Sequence, residues 1–324
     1  MSLGEFELIA KYFSRPVKRA VLGVGDDCAL IAPRAGMQLA ISTDMLVEGR
    51  HFLSTVDPER LGHKALAVNL SDLAACAAQP LAYTLGLAMP RVDVVFLDGF
   101  SRGLHALADA HDVELIGGDT TAGPLAISIT VIGEVPPEAA PRRAGARAGD
   151  DVWVSHPVGG GLGDARLALE AFRGVIVLDG DHFERARLRM ERPTPRVGLG
   201  LALRGLIHAA IDLSDGLIGD LGHVLRASRV GAVIEVDAMP RSAVLAAQPV
   251  VVQRLCLLAG GDDYELLFTA SEQHRDNVRA AARGLGVGVT RIGRIETTAG
   301  LRVVDAQGDS VDTSMLAAFD HFKE

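Results

Sequence analysis

The stretch QLAISTDMLVEGRHFLSTVDPERLGHKALAVNLSDLAACA, residues 38–77, sets the architecture. Its start, QLAISTD (38–44), reads as a strand that ends in polar side chains. Residues 57–77 read as one long helix, with Asp57 as N-cap and Pro58 in the first position. On the C-terminal side, TLGLAMP (84–90) reads as a strand and VVFLDGFSRGLHALADAH (94–111) as a second helix. VELIGGDTT and PLAISITVIGEV supply two more strands, the latter alternating apolar and polar. The Pro-, Ala- and Gly-rich stretch 135–150 reads as a linker.

Beyond it the alternation continues. DVWVSHP (151–157) is a strand, GGGLGD (159–164) a turn, and DARLALEAF a helix capped by Asp164. VGLGLALRGLIHAA and GLIGDLGHVLRAS read as helices, GAVIEVD and YELLFTA as strands, and SEQHRDNVRAAARGLG as a helix capped by Ser271. Such alternation defines α/β or α+β layers. At 324 residues the chain is long for one core, and two domains are expected, 1–137 and 138–324. The uncharged run 73–90 is long enough to raise a membrane span. Gln79 and two prolines oppose that reading. It is better read as a helix end, a turn at Gln79-Pro80 and a buried strand.

Hydrophobic content of 48% and 23% charged residues describe a folded, water-soluble chain. A net charge of -9 disfavours nucleic acid or an anionic membrane as partner. Cys28, Cys76 and Cys256 are far apart and form no CxxC, which fits a reducing, cytoplasmic setting. The ten histidines form no HExxH, which argues against zinc. Glu5 and Glu7 in the first residues fit an amphipathic helix rather than a signal peptide.

Acids recur where elements end: Asp26 and Asp27, Asp44, Asp72, Asp119, Asp212 and Asp215, Asp262 and Asp263. A single Gly-Asp pair is ordinarily a turn or a cap. Many at element ends suggest a site. Two carboxylates ~4 Å apart repel by about 4 kcal/mol at an effective dielectric near 20. Several together would exhaust a domain's margin of about 5–15 kcal/mol unless protons or divalent cations intervene. All-oxygen donors favour Mg²⁺, which shares its shell between a few carboxylates and substrate phosphates. There is no GxxxxGK[ST] and no HRD or DFG set.

GEFELIAKYF, GVGDDCALI, AISTDMLVEGRHF, DPERLGHKALAVNLSDLAA, IGGDTT, RPTPR, IDLSDGLIGDLGHVLRAS, GGDDYELLFT and FDHF resemble, in order and from residue 4 to 322, the thiamine-monophosphate kinase family. The resemblance implies a two-domain α/β (α+β) fold of the aminoimidazole ribonucleotide synthetase type. Its N-terminal domain would pair across a homodimer into a β-barrel, and its C-terminal domain would cover the ATP cleft. It implies transfer of the ATP γ-phosphate to thiamine monophosphate, with several Mg²⁺ ions and no dedicated general base.

By that resemblance Asp27, Asp44, Asp72, Asp119, Asp212 and Asp215 would hold Mg²⁺, with Ser42 and Thr43 adding oxygens. Gly118, Asp119, Arg143 and Ser214 would meet the nucleotide, and His51, Asp262 and Phe319 the thiamine monophosphate. Asp262 stands where the family commonly has Glu, and Phe319 where Tyr or Trp can occur. Two alternatives stay open: a related enzyme with another acceptor, and a non-catalytic Mg²⁺-nucleotide sensor. Against a selenophosphate synthetase, Lys11 has no neighbouring Cys.

Overall fold

A computed structural model describes residues 4–314 and residue 316. The chain forms two compact units. The first reaches Glu138, apart from Ala74–Ala77, which group with the second unit that continues from Ala139.

The first unit holds α1 (Glu5–Tyr12), β1 (Gln38–Val47), α2 (Pro58–Ala75), β2 (Gln79–Met89), α3 (Val94–Ala110), β3 (Glu114–Ala122) and β4 (Ala126–Val135). The sheet order is β1-β4-β2-β3. Strand β4 runs antiparallel to both β1 and β2, and β3 lies parallel to β2 after the α3 crossover. Asp57 caps α2 by accepting the N–H groups of Glu59 and Arg60. Asp93 does the same for α3 through Val95 and Phe96. Leu61, Leu66, Leu70, Tyr83, Leu87, Phe100 and Leu104 are fully buried in this unit. Strand β1 obeys a period of two: Leu39, Ile41, Thr43 and Met45 are exposed, whereas Ala40, Ser42, Asp44 and Leu46 are partly or fully buried. This four-stranded sheet is open and does not close into a barrel within one chain.

Helices α2 and α3 approach to backbone contact. A Cβ on Gly103 would lie 1.8 Å from the Glu59 carbonyl oxygen, and one on Gly62 2.0 Å from that of Phe100.

The expected turn at Gln79-Pro80 is not found. The turn falls before it, with Ala77 at φ 51, and β2 begins at Gln79. Pro80 sits where the ladder to β4 shifts register, so its missing N–H does little harm. No helix among the described residues is long and apolar enough to cross a membrane.

The second unit holds β5 (Asp151–Pro157), α4 (Asp164–Phe172), α5 (Gly180–Glu191), α6 (Val197–Ala202), β6 (Ala209–Asp212) and α7 (Leu217–Ser228). Then follow β7 (Gly231–Glu235), α8 (Ala243–Ala246), α9 (Val250–Ala259), β8 (Leu266–Ala270), α10 (Arg275–Gly284), β9 (Val287–Glu296) and β10 (Gly300–Val304). Its sheet order is β10-β7-β9-β5-β8-β6, antiparallel except for the β10/β7 pair. Val152, Val154, Ile211, Leu221, Ile234, Leu267 and Ile292 belong to its core.

Three expectations change here. The linker is folded from Arg143, where a 3-10 turn spans Arg143–Gly145 and Ala146 enters the core. The helix expected over 197–210 ends at Ala202, because β6 claims Ala209–Asp212 for the sheet. Asp164 is the first residue of α4, not its cap. Its carboxylate takes the Ser242 hydroxyl at 2.6 Å, and burial raises its pKa.

An exposed helical Gly→Ala change would stabilise by about 0.5–1 kcal/mol. Gly103→Ala is expected to do the reverse, losing about 1–3 kcal/mol through overpacking against α2. Urea unfolding of the two proteins reads the sign directly.

Candidate functional site

Alternation along β1 and the helical period of α2 together build the first cluster. Ser42 and Asp44, two residues apart, lie on the same face of β1. Asn69 and Asp72, three apart, lie on one face of α2. The Ser42 hydroxyl donates to the Asp72 carboxylate at 2.5 Å, and the Asp44 N–H donates to Asn69 Oδ1 at 3.0 Å. Thr43 points the other way. Its hydroxyl is exposed and pairs with that of Thr130 at 2.8 Å.

Gly118 and Asp119 lie on β3, both exposed. Gly118 takes φ 146, and a Cβ there would stand 1.9 Å from the Leu85 carbonyl oxygen. Only glycine allows that approach of β3 to β2. A small cleft of about 30 Å³ is lined by Gly118, Asp119, Leu85 and Val24 among others. Val24 opens the exposed loop carrying Asp27, whose N–H donates to the Asp26 carboxylate at 2.8 Å. His51 is half-buried at the end of the turn after β1, and its Nδ1 accepts the Val47 N–H at 3.0 Å.

In the second unit two loops run side by side. Asp212 closes β6 and is buried. Asp262, at φ 66, donates its N–H to the Ser214 carbonyl at 3.0 Å, and the Tyr264 N–H bonds the Leu213 carbonyl at 2.8 Å. Asp212, Ser214, Asp215 and Asp262 therefore share one loop pair. Arg143 lies elsewhere in this unit. Its carbonyl accepts the Ser228 hydroxyl at the C-terminal end of α7. Phe319 lies outside the described residues.

Three acids that the sequence reading left without a role hold these loops. Asp220, in the first turn of α7, accepts the N–H groups of Ser214, Asp215 and Gly216 at 3.1, 3.2 and 3.1 Å. Burial, and then the charge of Asp215, push its carboxyl up to about 7 against those donors. Asp263 is buried and takes the Gly163 N–H through both oxygens, at 3.0 and 3.1 Å. Burial drives its pKa well up.

Glu265 is fully buried. Arg196 grips both its oxygens at 2.6 Å, Arg189 reaches it at 3.0 Å and the Ser155 hydroxyl at 2.5 Å. A buried carboxylate survives only when paired in this manner. Arg196 closes RPTPR, and Asp263 and Glu265 lie in GGDDYE, so motif membership was the available signal.

Among the described residues no three His, Cys, Asp or Glu side chains gather closely enough to hold a metal by themselves.

The family models for AIR synthase related proteins match this chain at residues 25–135 (N-terminal domain) and 147–306 (C-terminal domain). The thiamine-monophosphate kinase of Salmonella typhimurium is 45% identical, covering 91% of each chain. A crystal structure of the thiamine-monophosphate kinase from Stenotrophomonas maltophilia K279a superposes with TM-score 0.84 at 44% identity, over 96% of this chain and 99% of that one. A second structure, AaThiL complexed with AMPPCP and TMP, gives TM-score 0.76 at 29% identity over 90% of this chain and 89% of that one. The fold thus defines an AIR synthase related protein of two domains. Within that class, the chain belongs to the thiamine-monophosphate kinase family.

Because the folded-state pKa of Asp220 lies above its ordinary value of 3.8, its protonation stabilises the fold. That contribution is complete below about pH 4 and is lost as pH rises to about 7. Asp220→Asn keeps an oxygen acceptor but cannot ionise. Wild type should therefore lose stability relative to the mutant between pH 4 and 7, by about 4 kcal/mol at most. Denaturant midpoints at a series of pH values check this.

Proposed function

We propose that this chain transfers the γ-phosphoryl group of ATP to thiamine monophosphate, giving thiamine diphosphate, with Mg²⁺. The observation that carries the reading is the oxygen cluster of Ser42, Asp44 and Asp72 on a chain similar to such kinases over nearly its whole length.

The donor set fits Mg²⁺. It is all oxygen, and Mg²⁺ takes only one or two carboxylates per ion beside substrate phosphates and water. Asp27, Asp44, Asp72, Asp119, Asp212 and Asp215 would hold it, with Ser42. Thr43 would serve through its backbone, since its hydroxyl faces away. Bound there, Mg²⁺ neutralises phosphate charge.

The acceptor is already an anionic phosphate oxygen, so no side chain need remove a proton. The work left to the chain is positioning. Gly118 lets backbone come close to a phosphate, and Asp220 fixes the loop that offers Ser214 to the nucleotide. Arg143, beside Ser228 at the other end of α7, would bring a cation to the nucleotide. His51 and Asp262 meet thiamine monophosphate, Asp262 facing the cationic thiazolium, and Phe319 supplies an aromatic face.

Leu39, Ile41 and Met45, exposed along β1, support a homodimer in which two open sheets close into a barrel. Cys28, Cys76 and Cys256 form no disulfide among the described residues, which fits the cytoplasm.

ATP consumption is expected to depend on thiamine monophosphate and to stop with a chelator. Asp72→Asn should lower kcat/KM by about 100-fold or more with an unchanged melting temperature. Near-normal activity of that mutant would remove the metal assignment. In light scattering, wild type should have the mass of two chains, and Ile41→Asp/Met45→Asp that of one. A monomeric wild type would end the barrel proposal.

A further inference from the structure

We propose that the first unit carries a second binding site, for a small organic monocarboxylate with an apolar body. It is a cleft between residues 15–18, the C-terminal end of α3 and the start of β3. None of the residues assigned to metal, nucleotide or thiamine monophosphate lines it, so it does not depend on the kinase reading.

The cleft holds about 310 Å³, enough for a compact molecule. Tyr83, on β2, lines it and is fully buried. The Tyr83 hydroxyl has no hydrogen-bond partner among the described residues. A buried hydroxyl in that state carries a desolvation cost that a bound acceptor removes. Burial raises its pKa, so it stays protonated and able to donate. The charges of Arg15 and Asp109 act on it next, in opposite senses, which puts that ion pair close to the hydroxyl.

The remaining groups define the ligand. Arg15 bonds Asp109 through Nη2 at 3.0 Å, and its Nε and Nη1 keep their hydrogens for another acceptor. Lys18 lines the same cleft and is exposed. The three acids there are already engaged. Asp109 takes Arg15 and Asp112 takes Arg19. Glu114 accepts the N–H groups of Lys18, Arg19 and Ala20 at 2.6, 3.0 and 3.0 Å. His105 gives its Nε2–H to the Tyr12 carbonyl at 2.8 Å, and burial lowers its pKa, so it adds no cation. The donors left to fill are Tyr83, Arg15 and Lys18, and an oxyanion suits all three. Asp109 and Asp112 are exposed beside them and repel a second negative charge. That favours a carboxylate over a phosphate dianion. Pro16, Val17, Val113 and Leu115 give the apolar body its contacts.

The test is binding of benzoate to the full chain, read by saturation-transfer NMR. Benzoate should bind with Kd about 1 mM. Its uncharged counterpart benzamide, and the dianion phenyl phosphate, should bind about tenfold more weakly. Tyr83→Phe removes only the hydroxyl. It should keep or raise the melting temperature and weaken benzoate about fivefold. Arg15→Gln should weaken it about tenfold. Neither ATP nor thiamine monophosphate should displace the probe.

An absence of saturation transfer at about 10 mM benzoate would overturn the proposal. Undiminished affinity in Tyr83→Phe would assign the hydroxyl to ordered water and overturn it too. So would tighter binding of benzamide or phenyl phosphate than of benzoate. Displacement by thiamine monophosphate would put benzoate in the other site, with the same result. Should Tyr83→Phe fail to fold, Arg15→Gln, altered at an exposed position, decides alone.

Discussion

The two-residue period of β1 is the constraint on which the first unit turns. Ten residues serve two surfaces at once. Ser42 and Asp44 face inward, toward Asn69 and Asp72 on α2, while Ile41, Thr43 and Met45 face outward. A slip of one residue would exchange the two sets, placing apolar groups among the carboxylates and acids on the open face. Register is held by the long antiparallel ladder to β4, which pairs every residue from Gln38 to Val47. The polar cluster therefore inherits its geometry from sheet pairing, not from its own weak bonds.

In the second unit the equivalent role falls to buried charge. Glu265 sits with two arginines and a serine where water cannot reach, and Asp220 gathers three successive N–H groups at the start of α7. Such networks contribute modestly to net stability, because desolvation offsets most of the attraction. Their effect is geometric. Each leaves a loop with one set of partners, and the loops so fixed are those that present Ser214, Asp215 and Asp262.

The two units hold their acids differently. Asp72 takes the Ser42 hydroxyl, beside the bond from the Asp44 N–H to the Asn69 amide oxygen. Glu265 is locked by cations and is thereby withdrawn from chemistry.

Much of this was legible in the amino-acid order. Strand and helix alternation, the Asp57 cap and the acids at element ends all follow from local periodicity and backbone chemistry. The family resemblance then pointed to Asp44, Asp72, Asp212 and Asp262 as parts of a site. Local pattern could not show that Ala77 would carry the turn expected at Gln79-Pro80, because the β2–β4 register decides it. Nor could it separate Asp263 and Glu265, structural acids, from Asp262 beside them. That distinction depends on which carboxylate meets Gly163 and which meets Arg196. Those partners lie tens of residues away in the chain, and only packing brings them together.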